Sequence, residues 1–213
     1  MTAEQKKVEL EKITQEIRNF KGLDIAKNAT NSVPGEGDPD AQIMFIGEAP
    51  GQREDLSGRP FVGQAGKLLE KTLASELGMT REQVYITNIV KYRPPDNRDP
   101  FLNEIEACWE WLDHQIEIIS PKIIVTLGRY SMAKFIPDVS ISKVHGQARF
   151  LEFAGKKYIV FPMYHPAAAL RAGSMMQQFV ADFAKLKNLL GENPANVVKM
   201  EQEKSEPEQS SLF

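Results

Sequence analysis

The sequence predicts an α/β/α sandwich: a single α/β domain with a central, mostly parallel sheet and helices on both faces. Three observations carry this. Two apolar runs without alternation, residues 42–46 and 122–127, each end on a glycine, Gly47 and Gly128, as strands buried on both faces do. Stretches with apolar residues at three- and four-residue steps lie between the strand-like runs, so strands alternate with helices. The chain's 213 residues suffice for one such domain and a tail.

The elements follow in order. Thr2 and Gln5 have the spacing of a capping box, and Leu10, Ile13, Ile17 and Phe20 then recur as one face of a helix. Residues 21–40, with Gly22, Pro34, Gly35, Gly37 and Pro39, read as loop. After the strand at 42–46 a polar Gly/Pro loop runs to Gly63. A helix is expected over 65–77, with Leu68, Leu69 and Leu73 on one side and Gly78 closing it. Residues 84–90 are strand-like and 94–97 a loop. Residues 102–119 suit a helix with Ile105, Cys108, Trp109, Leu112 and Ile116 inward. A short helix near 130–135 follows the strand at 122–127, residues 150–153 and 158–161 pair as strands, and 175–190 form the last helix.

The apolar pattern fades near Gly191. Residues 1–192 are therefore read as the domain and 193–213 as a disordered acidic tail.

With 42% hydrophobic and 26% charged residues, the composition is that of a soluble globular protein. No apolar run approaches the ~20 residues of a membrane span, and the first residues lack the apolar core of a signal peptide; a cytoplasmic protein is expected. The single cysteine, Cys108, excludes an internal disulfide and a multi-cysteine metal site. The net charge of −3 is that of residues 201–213, where four glutamates outweigh Lys204. The remaining residues balance 25 bases against 25 acids, so composition alone does not argue for nucleic acid.

Four constellations carry chemistry. Gly47-Glu48-Ala49-Pro50-Gly51-Gln52-Arg53-Glu54-Asp55 follows a strand, where glycines can admit a ligand to the backbone and carboxylates position water or stabilise positive charge, although by itself the stretch reads more readily as a tight strand-to-loop turn. Gly58-Arg59-Pro60-Phe61-Val62-Gly63 puts a phenylalanine in a loop, as a stacking platform for a planar base or as a loop anchor. Asn88 ends a strand with an amide that offers both donor and acceptor to a base edge, although such asparagines also cap turns. In residues 164–171, His165 precedes a proline-led helix start that could place its imidazole in a site, although a lone histidine is more often structural; Leu170 and Arg171 on that turn could act as wedge and phosphate contact. A parallel sheet gathers its site at the carboxyl ends of its strands, which brings these pieces to one rim.

Together, and in this order, these stretches resemble the uracil-DNA glycosylase superfamily, in particular its fourth, iron–sulfur family. The likeness covers residues 20–190 and includes Gly35-Glu36-Gly37, Lys91-Tyr92-Arg93-Pro94-Pro95-Asp96-Asn97-Arg98 and residues 121–128. It implies a hydrolase that flips a deoxyuridine out of DNA, removes the uracil and leaves an abasic site, starting base-excision repair. Asn88 would read the edge of uracil, Phe61 would stack on it, and Glu54 would block the methyl group of thymine. Gly47, Ala49 and Asp55 would complete the base pocket. His165 would stabilise charge on the departing uracil and Glu48 the attacking water or the sugar cation. Arg93, Asn97, Arg98, Ala168, Leu170 and Arg171 would face DNA.

The resemblance also implies a four-iron, four-sulfur cluster on four cysteines, and here the sequence departs. Phe20, Leu23 and Tyr92 stand where three are expected, and Cys108 alone remains. One thiolate cannot hold such a cluster. A cluster-free protein with no metal, its vacated space filled by bulky apolar side chains, is therefore expected. No histidine-bearing basic insertion of the superfamily's covalent uracil-trapping members is found.

The chain ends Gln209-Ser210-Ser211-Leu212-Phe213, similar to the short peptide that bacterial repair proteins insert into the sliding clamp. Gln209, Leu212 and Phe213 are its candidate clamp-binding residues. A monomer acting on uracil-containing DNA is expected. The alternatives are a glycosylase for another deaminated base and a catalytically silent DNA-binding or clamp-adaptor protein.

Overall fold

Thr2 opens the first helix through the capping box its spacing implies. Its hydroxyl accepts the Gln5 N–H at 3.3 Å and the Gln5 side chain accepts the Thr2 N–H at 2.8 Å. The computed structural model describes residues 1–153 and 155–191. The tail expected at 193–213, with Gln209, Leu212 and Phe213, lies outside the described residues.

Helix α1, Ala3–Asn19, buries Leu10, Ile13 and Ile17. The stretch read as loop contains a short helix, α2 at Asp24–Asn28, and a two-residue strand, β1 at Glu36–Gly37. Both are too short to display a period. Strand β2 is Ile43–Gly47. The next loop is instead partly helical: α3, Gln52–Ser57, runs from Gly51 to the left-handed Gly58. Only Asp55 is buried in it, so no apolar face announces it. Helix α4, Gln64–Thr72, continues into one wide turn, Leu73–Leu77, and stops at the left-handed Gly78.

Strand β3 is Tyr85–Asn88, α5 is Leu102–Ile119 as expected, and β4 is Ile123–Leu127. Within α5, Trp111 is buried where Trp109 was expected; Trp109 is partly covered, with the Lys134 ammonium 4.9 Å above its ring. Two short helices follow, α6 at Arg129–Ala133 and α7 at Ile141–Val144. Strands β5, Arg149–Phe153, and β6, Lys156–Met163, pair antiparallel. Helices α8, Pro166–Ala169, and α9, Gly173–Gly191, complete the described chain.

Among the described residues six strands lie in the order β1-β3-β2-β4-β6-β5. The inner four are parallel, and β1 and β5 add antiparallel edges. Successive residues of a strand face opposite sides, so β2 feeds two cores. Met44 and Ile46 pack with Ile13 and Ile17 of α1 and Leu112 and Ile116 of α5. Ile43 and Phe45 pack with Leu69 of α4 and Phe179 and Phe183 of α9. Burying each such side chain contributes about 1.5–3 kcal/mol, so both faces hold the sheet.

In register, Gly47 sits beside Asn88 and Leu127 beside Met163. The carboxyl ends of the parallel strands therefore form one rim, from which the loops before α3, α5, α6 and α8 leave. No helix among the described residues is long and apolar enough to cross a membrane.

Candidate active site

A cavity of about 620 Å³ opens at that rim, and Glu48, Glu54, Phe61, Asn88 and His165 all line it. The four sequence constellations thus meet in one place.

Its floor is the end of the β2–β3 pair. Asn88 is 2% exposed, and its Oδ1 is buried without a hydrogen-bond partner. A buried amide oxygen left unpaired costs free energy, roughly 1–3 kcal/mol, that a ligand N–H recovers. Gly47 beside it has no room for a side chain: a Cβ there would meet Asn88 Oδ1 at 2.3 Å and Phe61 Cζ at 2.5 Å. The amide and the phenyl ring therefore converge over Gly47.

Phe61 holds this position in a left-handed backbone, φ +51°, which is costly for a bulky residue. Two groups over-determine it. Glu54 Oε1 accepts the N–H groups of Val62 and Gly63 at 2.8 and 2.7 Å. The buried Arg81 donates to the carbonyls of Phe61 and Pro60 at 3.2 and 2.7 Å and pairs with Glu36. Arg81 was not foreseen; its spacing from Phe61 has no local pattern.

His165 is the N-cap of α8, and its Nδ1 accepts the Ala167 N–H at 3.1 Å. Burial holds its pKa down to about 4, with Arg171 pushing the same way and Glu54 opposing. The ring is therefore neutral near pH 7, its one proton on Nε2, so it acts as a hydrogen-bond donor rather than a cation. Its centroid lies 5.7 Å from that of Phe61.

Burial raises the Glu48 carboxyl to about 7; the neighbouring Asp99 adds to the shift and Arg129 opposes it. Asp99 and Arg129 form an ion pair that joins the loop before α5 to the start of α6, and Arg129 also lies over the Tyr130 ring. Sequence reasoning missed both, although Arg129 follows the strand-ending Gly128 directly. Ile141 and Met175 line the cavity and were likewise unforeseen, and Tyr164, which opens the 164–171 constellation without an assigned role, lines it too.

Among the remaining expected residues, Ala49, Asn97, Arg98, Ala168 and Arg171 line the cavity. Asp55 does not reach it. Its carboxylate accepts the N–H groups of Thr30 and Asn31 at 2.9 and 3.3 Å and fastens α3 to the preceding loop. Arg98 is tied twice to the buried Glu104, at 2.9 and 2.7 Å, and lies 3.7 Å from the Phe101 ring, so its charge is already paired. Arg93 stands outside the cavity and donates to Asn97 at 2.8 Å. Leu170 projects from the rim at 48% exposure.

The positions expected to hold cluster cysteines also meet. Tyr92 is 1% exposed, and its hydroxyl donates to the Ile17 carbonyl at 2.6 Å. Phe20 stacks on it at 6.2 Å and meets Trp111 edge-on at 5.0 Å. Leu23 and the fully buried Cys108 belong to the same core. Three rings and a closed hydrogen bond occupy this space, which does not fit a four-thiolate cluster. Among the described residues no group of three or more His, Cys, Asp or Glu is placed to hold a metal.

Comparison with known proteins agrees with the geometry. Residues 34–187 match the family described as the uracil DNA glycosylase superfamily. The chain is 51% identical over 185 residues to a type-4 uracil-DNA glycosylase of Sulfurisphaera tokodaii, covering 84% of each chain. Proteins of that name from Saccharolobus solfataricus and Archaeoglobus fulgidus are each 47% identical, covering 87% and 85% of this chain and 88% and 94% of theirs.

Proposed function

The chain belongs to the uracil DNA glycosylase superfamily, and from that membership we propose that it excises uracil from DNA by hydrolysis, as an enzyme of DNA repair. The observation that carries the reading is the unpaired, buried Oδ1 of Asn88 beside the Phe61 ring and a neutral His165.

Uracil differs from cytosine at this edge by offering an N3–H donor and an O4 acceptor. Asn88 Oδ1 accepts the first and its amide NH₂ donates to the second. Phe61 stacks on the ring and Glu54 crowds C5 against a methyl group. Gly47 and Ala49 let the base approach the backbone. When the C1′–N1 bond breaks, its electron pair leaves with uracil and charge gathers on O2, where Nε2–H of His165 donates. Water adds to C1′, and its proton passes to the Glu48 carboxylate. Glu48 then gives that proton up through solvent, the uracil anion takes one up as it leaves, and an abasic sugar remains.

Arg171, Arg93 and Asn97 contact phosphates on either side, and Leu170 with Ala168 enters the stack as the nucleotide swings out. The pairing of Arg98 with Glu104 favours a role for Arg98 in shaping its loop, with a smaller direct contribution to phosphate binding.

The reading includes a protein that works without an iron–sulfur cluster, supported by the packing of Phe20, Leu23, Tyr92 and Trp111 in the space it would need. It has residues 1–192 acting as a monomer in the cytoplasm. Residues 193–213 serve as a tether, whose end, Gln209, Leu212 and Phe213, binds a sliding clamp; support for that is the terminal peptide's sequence alone.

The test is excision from labelled DNA carrying one uracil, opposite guanine, opposite adenine or single-stranded, with thymine and hypoxanthine controls and with iron measured in the same sample. Uracil-specific cleavage by iron-free protein is expected. Intact DNA binding without cleavage would overturn the catalytic reading, and preferred cleavage of hypoxanthine the substrate. Deleting residues 209–213 is expected to abolish clamp binding and leave excision from short oligonucleotides unchanged.

A further inference from the structure

Lys91 is fully buried, one residue type almost never found so without a carboxylate partner. Its ammonium is surrounded by three neutral oxygens, each at 2.8 Å: the Thr87 hydroxyl, the Asn88 carbonyl and the Gln115 side-chain oxygen. The other atoms of these partners are committed as well. The Thr87 hydroxyl donates to the Pro34 carbonyl at 2.7 Å, which leaves its lone pair to accept from Lys91. The Gln115 NH₂ donates to the same carbonyl at 2.9 Å, which turns its oxygen toward Lys91. An ammonium has three protons and a neutral amine two, so the set of acceptors matches the charged form.

The backbone of Lys91 is held too. Its carbonyl accepts the Val33 N–H at 2.8 Å, and its N–H interacts with the Cys108 thiol. Its side chain thus folds back beneath β3 from a fixed point, on the side away from the cavity. One of its three bonds ends on the residue whose amide faces the base.

We propose that Lys91 is a positioning residue for base recognition: by gripping the Asn88 carbonyl from behind the sheet, it fixes the direction in which Asn88 presents its amide to uracil. The proposal rests on the reading of Asn88 as the group that binds the base. A misplacement of about 1 Å at such a group costs on the order of a hundredfold in rate. The grip on the carbonyl sets the backbone torsion from which the side chain departs, and β2 and Phe61 leave that side chain little room to correct itself. Burial lowers the Lys91 pKa to about 7; Cys108 and Asp113 oppose the shift and Lys134 adds to it, so the buried ammonium depends on its partners, the three oxygens at 2.8 Å among them.

The experiment is a double-mutant cycle on the full chain, with excision of uracil from DNA measured under single-turnover conditions. Asn88→Ala, Lys91→Met and the pair are compared, with folding checked by circular dichroism. Gln115→Met is added, since it removes one acceptor from Lys91 without touching the cavity. Lys91→Met is expected to slow excision on the order of a hundredfold while DNA affinity stays unchanged. The double variant is expected to be no slower than Asn88→Ala alone, because residues acting as a unit are not additive. Gln115→Met is expected to show the same kind of loss, smaller, and keeps the test open if Lys91→Met does not fold. Additive losses, or wild-type rates in Lys91→Met or Gln115→Met, would overturn the proposal. If Asn88→Ala itself excises normally, the base-reading role fails first and this inference with it.

Discussion

Gly47 and Asn88 sit side by side at the ends of β2 and β3, so close that a methyl group on Gly47 would come 2.3 Å from Asn88 Oδ1. The same methyl would come 2.5 Å from the Phe61 ring. Gly47→Ala must therefore displace the amide, the ring or both. Excision is expected to fall on the order of a hundredfold, with free uracil losing its power to inhibit. Overpacking costs about 1–3 kcal/mol, which a melting curve would register without loss of the fold. Normal inhibition by free uracil in this variant would show that the base does not lie over Gly47.

Glu48 links pH to both activity and stability, in opposite directions. Its folded pKa of about 7 lies above its ordinary 4.5. Such a group contributes stability fully below the unfolded value, and that contribution is lost as pH rises through the folded one. Glu48→Gln should thus melt above the wild type at pH 8, with the gap closing toward pH 4.5. Excision needs the carboxylate, so the wild-type rate should rise through pH 7 while that of Glu48→Gln stays low and flat. A rise of the same shape in the variant would assign the limb to another group.

How much of this was legible in the sequence depended on the range of the interactions involved. The strands at Gly47 and Gly128, helix α5 and the proline-led start of α8 are local patterns, and all are present. Helix α3 was hidden because Leu56 points outward and Asp55 inward, leaving no apolar face. The neighbouring carboxylates Glu54 and Asp55 could not be told apart by spacing. On a helix they point about 100° apart, so one turns to the cavity and the other to the backbone of Thr30. Arg81 and the Asp99–Arg129 pair act across 20 and 30 residues, contacts that no period encodes.

His165 is expected to act as a neutral donor throughout the working range. With Nδ1 accepting from Ala167 and the pKa near 4, its ring should not titrate between pH 5 and 8. Nitrogen NMR of labelled protein should find the proton on Nε2 across that range. His165→Ala should slow excision on the order of a hundredfold or more. An imidazole that gains a proton near pH 6.5 would replace hydrogen-bond donation by charge–charge stabilisation in the mechanism.

Tyr92 joins the loop that leads to Arg93 to the end of α1, and its two parts can be removed separately. Tyr92→Phe deletes only the 2.6 Å bond to the Ile17 carbonyl and should cost about 1 kcal/mol, or somewhat more because that carbonyl is left buried. Tyr92→Ala also removes the ring that packs against Phe20 and Trp111, and the cavity should raise the cost to about 3–5 kcal/mol. Denaturant unfolding of both variants measures the two terms. A ring that fills the space by design makes the second loss much larger than the first. Tyr92→Cys should behave like Tyr92→Ala in stability and take up no iron, because Phe20 and Leu23 still supply no thiolate. An iron–sulfur absorption band in that variant would mean that the aromatic packing yields to a cluster, and equal stability of all three would mean that the packing contributes nothing.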